Sequence, residues 1–340
     1  VYTPFHGTGR ILVPEVLKRA GLKHLFCVPE QMIPDGRFPT VKSPNPEDKA
    51  GFALAMKIAE ENGCDLLIGT DPDADRAGVI VRASNGEFVP LTGNQIGVML
   101  LSYIIEARKL ENKLPANAAA VKSIVSTKLA DKICEASGVA MINVLTGFKF
   151  IGEKIKEFEE TGSHTYIFGF EESYGYLSGT YARDKDAVCA SLLITEMAAF
   201  YRARGKSLYE VLCGIFEKYG YYSEGIGTIV LPGLDGLAKM ASLMDSLRQN
   251  PPKEIAGVKV TSVADYQTGV ITDADGKTAP TGLPVSNVLF YTLENGDSVV
   301  IRPSGTEPKI KLYYLVSDKT KEAAEEKRNA YKAAFEKLLG

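Results

Sequence analysis

The residues of this 340-residue chain best able to do chemistry lie in short loops that follow apolar runs. Thr70-Asp71-Pro72-Asp73-Ala74-Asp75-Arg76 follows the run at 66–68 and precedes another apolar stretch. Carboxylates at i, i+2 and i+4 on a tight loop can converge on one hard cation of Mg²⁺ size, and without it they repel one another. A solvated acidic turn is the alternative. An EF-hand is excluded, because Arg76 stands where that loop needs Gly and Arg82 where it needs the bidentate Glu. Mg²⁺ keeps waters or a phosphate oxygen, so part of its ligand set is expected outside this loop.

A second acidic loop, Phe168-Gly169-Phe170-Glu171-Glu172-Ser173-Tyr174-Gly175, again ends an apolar run. Carboxylate and hydroxyl together suit vicinal sugar hydroxyls, and open α/β sheets bind ligands beyond the carboxyl ends of strands. A capping or turn role fits the same residues equally well. Arg183-Asp184-Lys185-Asp186 could supply cations for a phosphate, although a mixed-sign run is usually a solvated helix start. Lys149, in Thr146-Gly147-Phe148-Lys149, is open to both readings. Arg302-Pro303-Ser304-Gly305-Thr306-Glu307-Pro308 offers a guanidinium fork, two hydroxyls and a glycine that lets backbone N–H groups approach. That is a cradle for an oxyanion, with Lys311 adding charge from the next strand, and a hairpin turn is the plainer alternative. No Walker A sequence is present, and Gly7-Thr8-Gly9 lacks the third glycine of a dinucleotide fingerprint.

The rest of the chain has to position these loops. At about 100–200 residues per domain, the length implies two or three domains. With 39 Lys and Arg against 42 Asp and Glu, the net charge of −3 gives no field for nucleic acid or an anionic membrane. No apolar run approaches the roughly 18 residues of a membrane span. Five widely spaced cysteines without a C-x-x-C pair favour reduced thiols and a cytoplasmic location. The opening on Val1, with no signal peptide, is read as a piece of a longer polypeptide.

Periodicity predicts helices at 9–20, 49–62 and 92–113 around strands at 64–70 and 77–82. A second cycle follows Pro115, with strands at 120–125, 140–144 and 165–170 and helices at 127–136, 150–160 and 187–204. Strands alternating with helices argue for parallel pairing. Beyond Tyr222, short strands at 227–231, 257–264 and 298–301 with helices at 234–248 and 319–338 read as α+β. The expected fold is therefore α/β. Two related three-layer α/β domains with mostly parallel-type sheets, 1–115 and 116–222, precede a smaller α+β C-terminal domain, 223–340.

Taken in order, D-x-D-x-D-R, T-G-F-K, E-E-S-Y-G and R-P-S-G-T-E-P resemble the motif series of the α-D-phosphohexomutase superfamily, the phosphoglucomutases and phosphomannomutases. The opening Tyr2-Thr3-Pro4-Phe5-His6-Gly7 is similar to the branch with phosphopentomutase-like and glucose-bisphosphate-forming enzymes. The resemblance implies that Asp71, Asp73 and Asp75 hold Mg²⁺ and that Arg76 supports the phosphoserine region. It implies sugar hydroxyls on Glu171 and Ser173, and the non-reacting phosphate on Arg302, Ser304, Gly305 and Thr306. Lys149 and Lys185 fall near its substrate-contacting cations. The implied reaction exchanges hexose 1-phosphate and hexose 6-phosphate through a phosphoserine and a bisphosphate that turns round. The family's T-A-S-H-N-P serine loop, carried in a first domain, is not among these residues, and Ser43-Pro44-Asn45-Pro46 reads as a structural segment. The expected partners are therefore a sugar phosphate and an N-terminal domain of the same polypeptide. Two rivals stay open: a Mg²⁺-dependent phosphatase with Asp71 as nucleophile, and a non-catalytic sugar-phosphate-binding module.

Overall fold

The computed structural model describes residues 1–233, 235–305 and 307–339. It divides into two compact units, Val1–Tyr219 and the chain from Gly220 onward. Each is described by itself.

The first unit contains two four-stranded sheets. In the first, β1 (Tyr2–Thr3) pairs in parallel with β2 (Leu66–Thr70), which continues antiparallel to β3 (Ala77–Arg82) and β4 (Phe88–Leu91). The sheet is mixed because the connection from β2 to β3 is only the acidic loop at 71–76, which is too short for a parallel crossover. Helices α1 (Gly9–Arg19) and α2 (Ala53–Asn62) lie between β1 and β2 in the chain. α2 stops at Gly63, whose φ of 62° is the left-handed conformation that glycine adopts without a Cβ penalty. Phe5, Phe52, Leu67 and Ile80 form the core on one side.

After α3 (Gly93–Leu110) come β5 (Ala118–Ser123), α4 (Leu129–Ser137), β6 (Ala140–Val144), α5 (Phe148–Thr161), β7 (Thr165–Glu171) and β8 (Gly175–Leu177). Their spatial order is β6-β5-β7-β8, with β5 parallel to both neighbours and β8 antiparallel to β7. β5 therefore lies between the two strands that follow it. The order of the strands, not their direction, switches beside it, and at the C-terminal ends of β5 and β7 such sheets open the crevice that binds ligands. Val121, Ile151, Ile155 and Tyr166 fill the core between this sheet and α5. A Thr92–Gln95 capping box starts α3, which packs on β7, and α6 (Ala187–Arg202) and α7 (Leu208–Tyr219) complete the unit. Helix α7 and strand β8 had no counterpart among the sequence expectations. β8 is three residues long, too short for an alternating pattern to register.

The second unit contains β9 (Tyr221–Val230), β10 (Glu254–Ile255), β11 (Val258–Asp265), β12 (Val270–Asp273), β13 (Thr278–Pro280) and β14 (Leu289–Leu293), followed by the strands that matter below, β15 (Ser298–Pro303) and β16 (Lys309–Asp318). Its sheet is ordered β13-β12-β11-β14-β15-β16-β9, with β10 paired to β11, and all of its pairs are antiparallel. α8 (Gly236–Gln249) and α9 (Lys321–Leu339) supply Met244, Tyr331 and Phe335 to a core with Tyr291, Ile301 and Leu312. Among the described residues, no helix is long and apolar enough to cross a membrane. Cys27, Cys64, Cys134, Cys189 and Cys213 are free thiols.

Candidate active-site loops

The acidic loop is a hairpin connection held from inside. Asp71 Oδ1 accepts the backbone N–H groups of Asp75 (3.0 Å) and Arg76 (2.8 Å), and Ala74 takes a φ of 60° to make the bend. One oxygen from each of Asp71, Asp73 and Asp75 lies within 4.8 Å of the others. Burial, with Asp75 and Asp73 close by, pushes the Asp71 carboxyl up to about 7. Crowded hard oxygens that resist ionisation fit a small divalent cation, whose charge would offset their repulsion. Two cations already face the cluster. Lys185 Nζ lies 2.6 Å from Asp75 Oδ2, and Arg76 Nε lies 3.9 Å from both Asp71 and Asp75. That Nε is buried without a hydrogen-bond partner.

Neighbouring backbone fixes the loop from two sides. Thr8, just ahead of α1, directs both its N–H (2.8 Å) and its hydroxyl (3.0 Å) at the Pro72 carbonyl. A Cβ on Gly7 would stand 2.4 Å from Pro72 Cα. From the other side, Ala187 N–H donates to the Ala74 carbonyl and Ala77 N–H to the Tyr174 carbonyl, each at 3.1 Å. Arg76 also bridges antiparallel to Gly175. The acidic loop and the 171–175 loop are thus stitched together within one unit.

In the second loop Glu171 ends β7, buried, and its Oε1 accepts the Gly147 N–H at 2.7 Å. T-G-F-K therefore meets E-E-S-Y-G through a backbone donor rather than through Lys149, which is exposed with its Nζ 4.9 Å from the Phe150 ring centroid. Ser173 is half-buried, and Tyr174 turns the chain with a φ of 66°. Arg183 pairs with Glu159 and donates to the Thr180 carbonyl (2.7 Å), away from the acidic cluster. Sequence reasoning missed the Lys185–Asp75 pair and the Gly147–Glu171 bond. Both join residues far apart in the chain and carry no local signal.

The third loop connects β15 and β16. Arg302 and Lys311 stand directly opposite in the register, and opposed side chains on adjacent strands share one face of the sheet. Two like charges so placed repel each other, and an anion between them would relieve that. Arg302 donates to Tyr313 Oη at 3.3 Å. Ser304 N–H donates to the Lys309 carbonyl (2.8 Å), and Ser304 Oγ accepts from Glu307 N–H (3.3 Å). Gly305 is exposed, and Thr306 lies outside the described residues. Strand β15 runs two residues further than its sequence pattern implied, taking in Arg302 and Pro303.

Comparison with known proteins matches three successive segments of the chain to domains of one family. Residues 1–86 match the family model "Phosphoglucomutase/phosphomannomutase, alpha/beta/alpha domain II", residues 92–219 match domain III of the same family, and residues 243–332 match its C-terminal domain. A phosphoglucomutase of Staphylococcus aureus (strain MRSA252) is 40% identical over 315 residues, 92% of this chain and 56% of its own length. That of strain MSSA476 is 39% identical over 332 residues, 97% of this chain and 59% of its own. The chain thus spans little more than half of these relatives. Among solved structures, the open form of pp63/parafusin (a phosphoglucomutase) from Paramecium superposes with a TM-score of 0.66 at 19% identity. It covers 99% of this chain and 56% of that one. A phosphoglucomutase/phosphomannomutase family protein from Burkholderia thailandensis gives 0.64 at 17%, covering 98% and 60%. At these identities the structures establish the fold. The three matching domains, which together span most of the chain, and the relatives at 39–40% identity show that this chain belongs to the phosphoglucomutase/phosphomannomutase family, within the α-D-phosphohexomutase superfamily.

Proposed function

We propose that the chain carries the metal, sugar and phosphate loops of an enzyme that exchanges hexose 1-phosphate and hexose 6-phosphate, by way of a phosphoserine and a hexose bisphosphate. The observation that carries this reading is the Asp71, Asp73 and Asp75 cluster, with three oxygens within 4.8 Å and Arg76 and Lys185 facing it. These carboxylates would hold Mg²⁺, which offsets charge on a phosphoryl group in transfer. Arg76, with its unpartnered buried Nε, and Lys185 supply fixed positive charge beside it. Glu171 and Ser173 take sugar hydroxyls, with Lys149 on the adjacent turn free to reach a substrate oxygen. Arg302, Ser304, Gly305, Thr306 and Lys311 grip the phosphate that does not react. The phosphoserine belongs to a domain outside these residues, since no serine loop of the family's type occurs among them. A cytoplasmic setting matches a phosphorylated sugar substrate.

A phosphatase with Asp71 as nucleophile is disfavoured by the same geometry. Asp71 is buried and spends Oδ1 on two backbone donors, both of which weaken a nucleophile. Assays of the purified chain with glucose 1-phosphate and Mg²⁺ test the reading. Binding without turnover is expected. Conversion to glucose 6-phosphate would overturn the placement of the serine elsewhere, and release of inorganic phosphate would favour the phosphatase.

A further inference from the structure

Glu171, the last residue of β7, and Glu172, the first residue of the turn beyond it, reach to two different turns. Glu171 goes to the β6–α5 turn, where its Oε1 takes the Gly147 N–H. Glu172 goes to the β5–α4 turn, where its Oε2 takes the hydroxyls of Ser123 (2.9 Å) and Ser126 (3.4 Å). Ser126 Oγ in return accepts the Glu172 N–H at 3.1 Å, and the two serine hydroxyls are 2.8 Å apart. Both serines are fully buried. The turn that bears them is pinned by Lys122, a buried lysine whose Nζ lies 3.1 Å from Asp131 Oδ2 and 3.4 Å from the Ser126 carbonyl. On the far side, Gly93 approaches so closely that a Cβ there would stand 2.1 Å from the Glu172 carbonyl oxygen.

This clamp joins the C-terminal ends of β5 and β7, where strand order reverses and the ligand crevice of such a sheet opens. We infer that Glu172 is the positioning residue of the sugar loop. Locked to Ser123 and Ser126, it fixes the direction in which its neighbours Glu171 and Ser173 present carboxylate and hydroxyl to a hexose. The inference rests on the hexose-phosphate reading above. It assigns Glu172 no contact with substrate, so its loss acts through the sugar and leaves bare phosphate untouched.

The test titrates glucose 6-phosphate and, separately, inorganic phosphate into the chain, into Glu172→Gln and into the Ser123→Ala/Ser126→Ala double variant. For both variants, glucose 6-phosphate affinity should fall about tenfold while inorganic phosphate affinity holds, because a misplaced binding group loses most of its contribution. Combining all three substitutions should cost no more than Glu172→Gln alone, the signature of coupled residues. The amide resonance of Gly147 should move in each variant as Glu171 reorients. Unchanged glucose 6-phosphate affinity in both variants, additive effects, or a parallel loss of phosphate binding would each overturn the positioning role. Failure of the unmodified chain to bind glucose 6-phosphate would overturn the underlying reading, and this inference with it.

Discussion

The Lys185 ammonium sits 2.6 Å from the Asp75 carboxylate, so part of the charge that a divalent cation would bring to the acidic loop is already supplied from the start of the segment leading into α6. Burial works against the lysine's charge, yet the bond to Asp75 prevails and holds its pKa above the ordinary value. A cation arriving at Asp71, Asp73 and Asp75 must share Asp75 with Lys185 or displace it. Lys185→Met is therefore expected to tighten Mg²⁺ binding by about threefold to tenfold, through removal of like charge at close range. Calorimetry on both proteins decides it, and weaker binding in the variant would mean that Lys185 builds the site rather than competes for it.

Asp71 gives the same loop a pH dependence with a definite sign. Its carboxyl is raised from 3.8 to about 7, by burial first and by Asp75 and Asp73 after that. Below about pH 4 the native and unfolded chains both hold this proton. Between about 4 and 7 the unfolded chain releases it while the native chain keeps it, so this group's contribution to stability falls as pH rises through that window. Mg²⁺ needs the ionised form and must expel the proton. Affinity should therefore climb from pH 5.5 to 7 and level off above, with proton release seen as a buffer-dependent binding heat. In Asp71→Asn the climb should vanish along with most of the affinity.

Gly93→Ala separates local propensity from packing. Alanine in the first turn of a helix ordinarily stabilises by up to about 1 kcal/mol over glycine. Here the new Cβ would meet the Glu172 carbonyl oxygen, a backbone atom, at 2.1 Å. The expected outcome is a loss of about 1–3 kcal/mol in urea unfolding, with hexose phosphate binding weakened as well. A stabilised variant would show that the close approach between α3 and the sugar loop is not maintained.

Much of this was legible in the sequence, and the remainder was not for identifiable reasons. Asp71, Asp73, Asp75, Glu171 and Arg302 stand out in the sequence as candidates because the pattern that singles them out is local, at or a few residues after an apolar run. Most of the α/β elements of the first unit were readable from the same periodicity, down to β6 at Ala140–Val144, whereas β4, β8 and α7 were not. What local pattern could not carry was pairing. The antiparallel pairing of β2 with β3 and the placing of Arg302 directly opposite Lys311 depend on strand register, and the link from Glu172 to Ser123 joins residues far apart in the chain.

The β15–β16 hairpin also leans on a buried acid. Asp297 is 1% exposed and accepts from Ser317 N–H, Asn295, Tyr331 and Lys327, tying β16 and α9 to the turn that starts β15. Asp297→Ala leaves these donors without their acceptor and should cost about 3–5 kcal/mol in equilibrium unfolding. A cost below 1 kcal/mol would mean that water or another group replaces the carboxylate.

The most direct measurement is a set of calorimetric titrations with Mg²⁺ present, in which glucose 1-phosphate, glucose 6-phosphate and inorganic phosphate are each added to the chain, to Glu171→Ala and to Arg302→Ala. Recognition of a hexose phosphate by separate sugar and phosphate loops predicts that the chain binds both hexose phosphates. It further predicts that Glu171→Ala weakens both at least about tenfold while sparing inorganic phosphate, and that Arg302→Ala removes inorganic phosphate binding. No binding of either hexose phosphate, or equal losses for hexose phosphate and inorganic phosphate in Glu171→Ala, would contradict it.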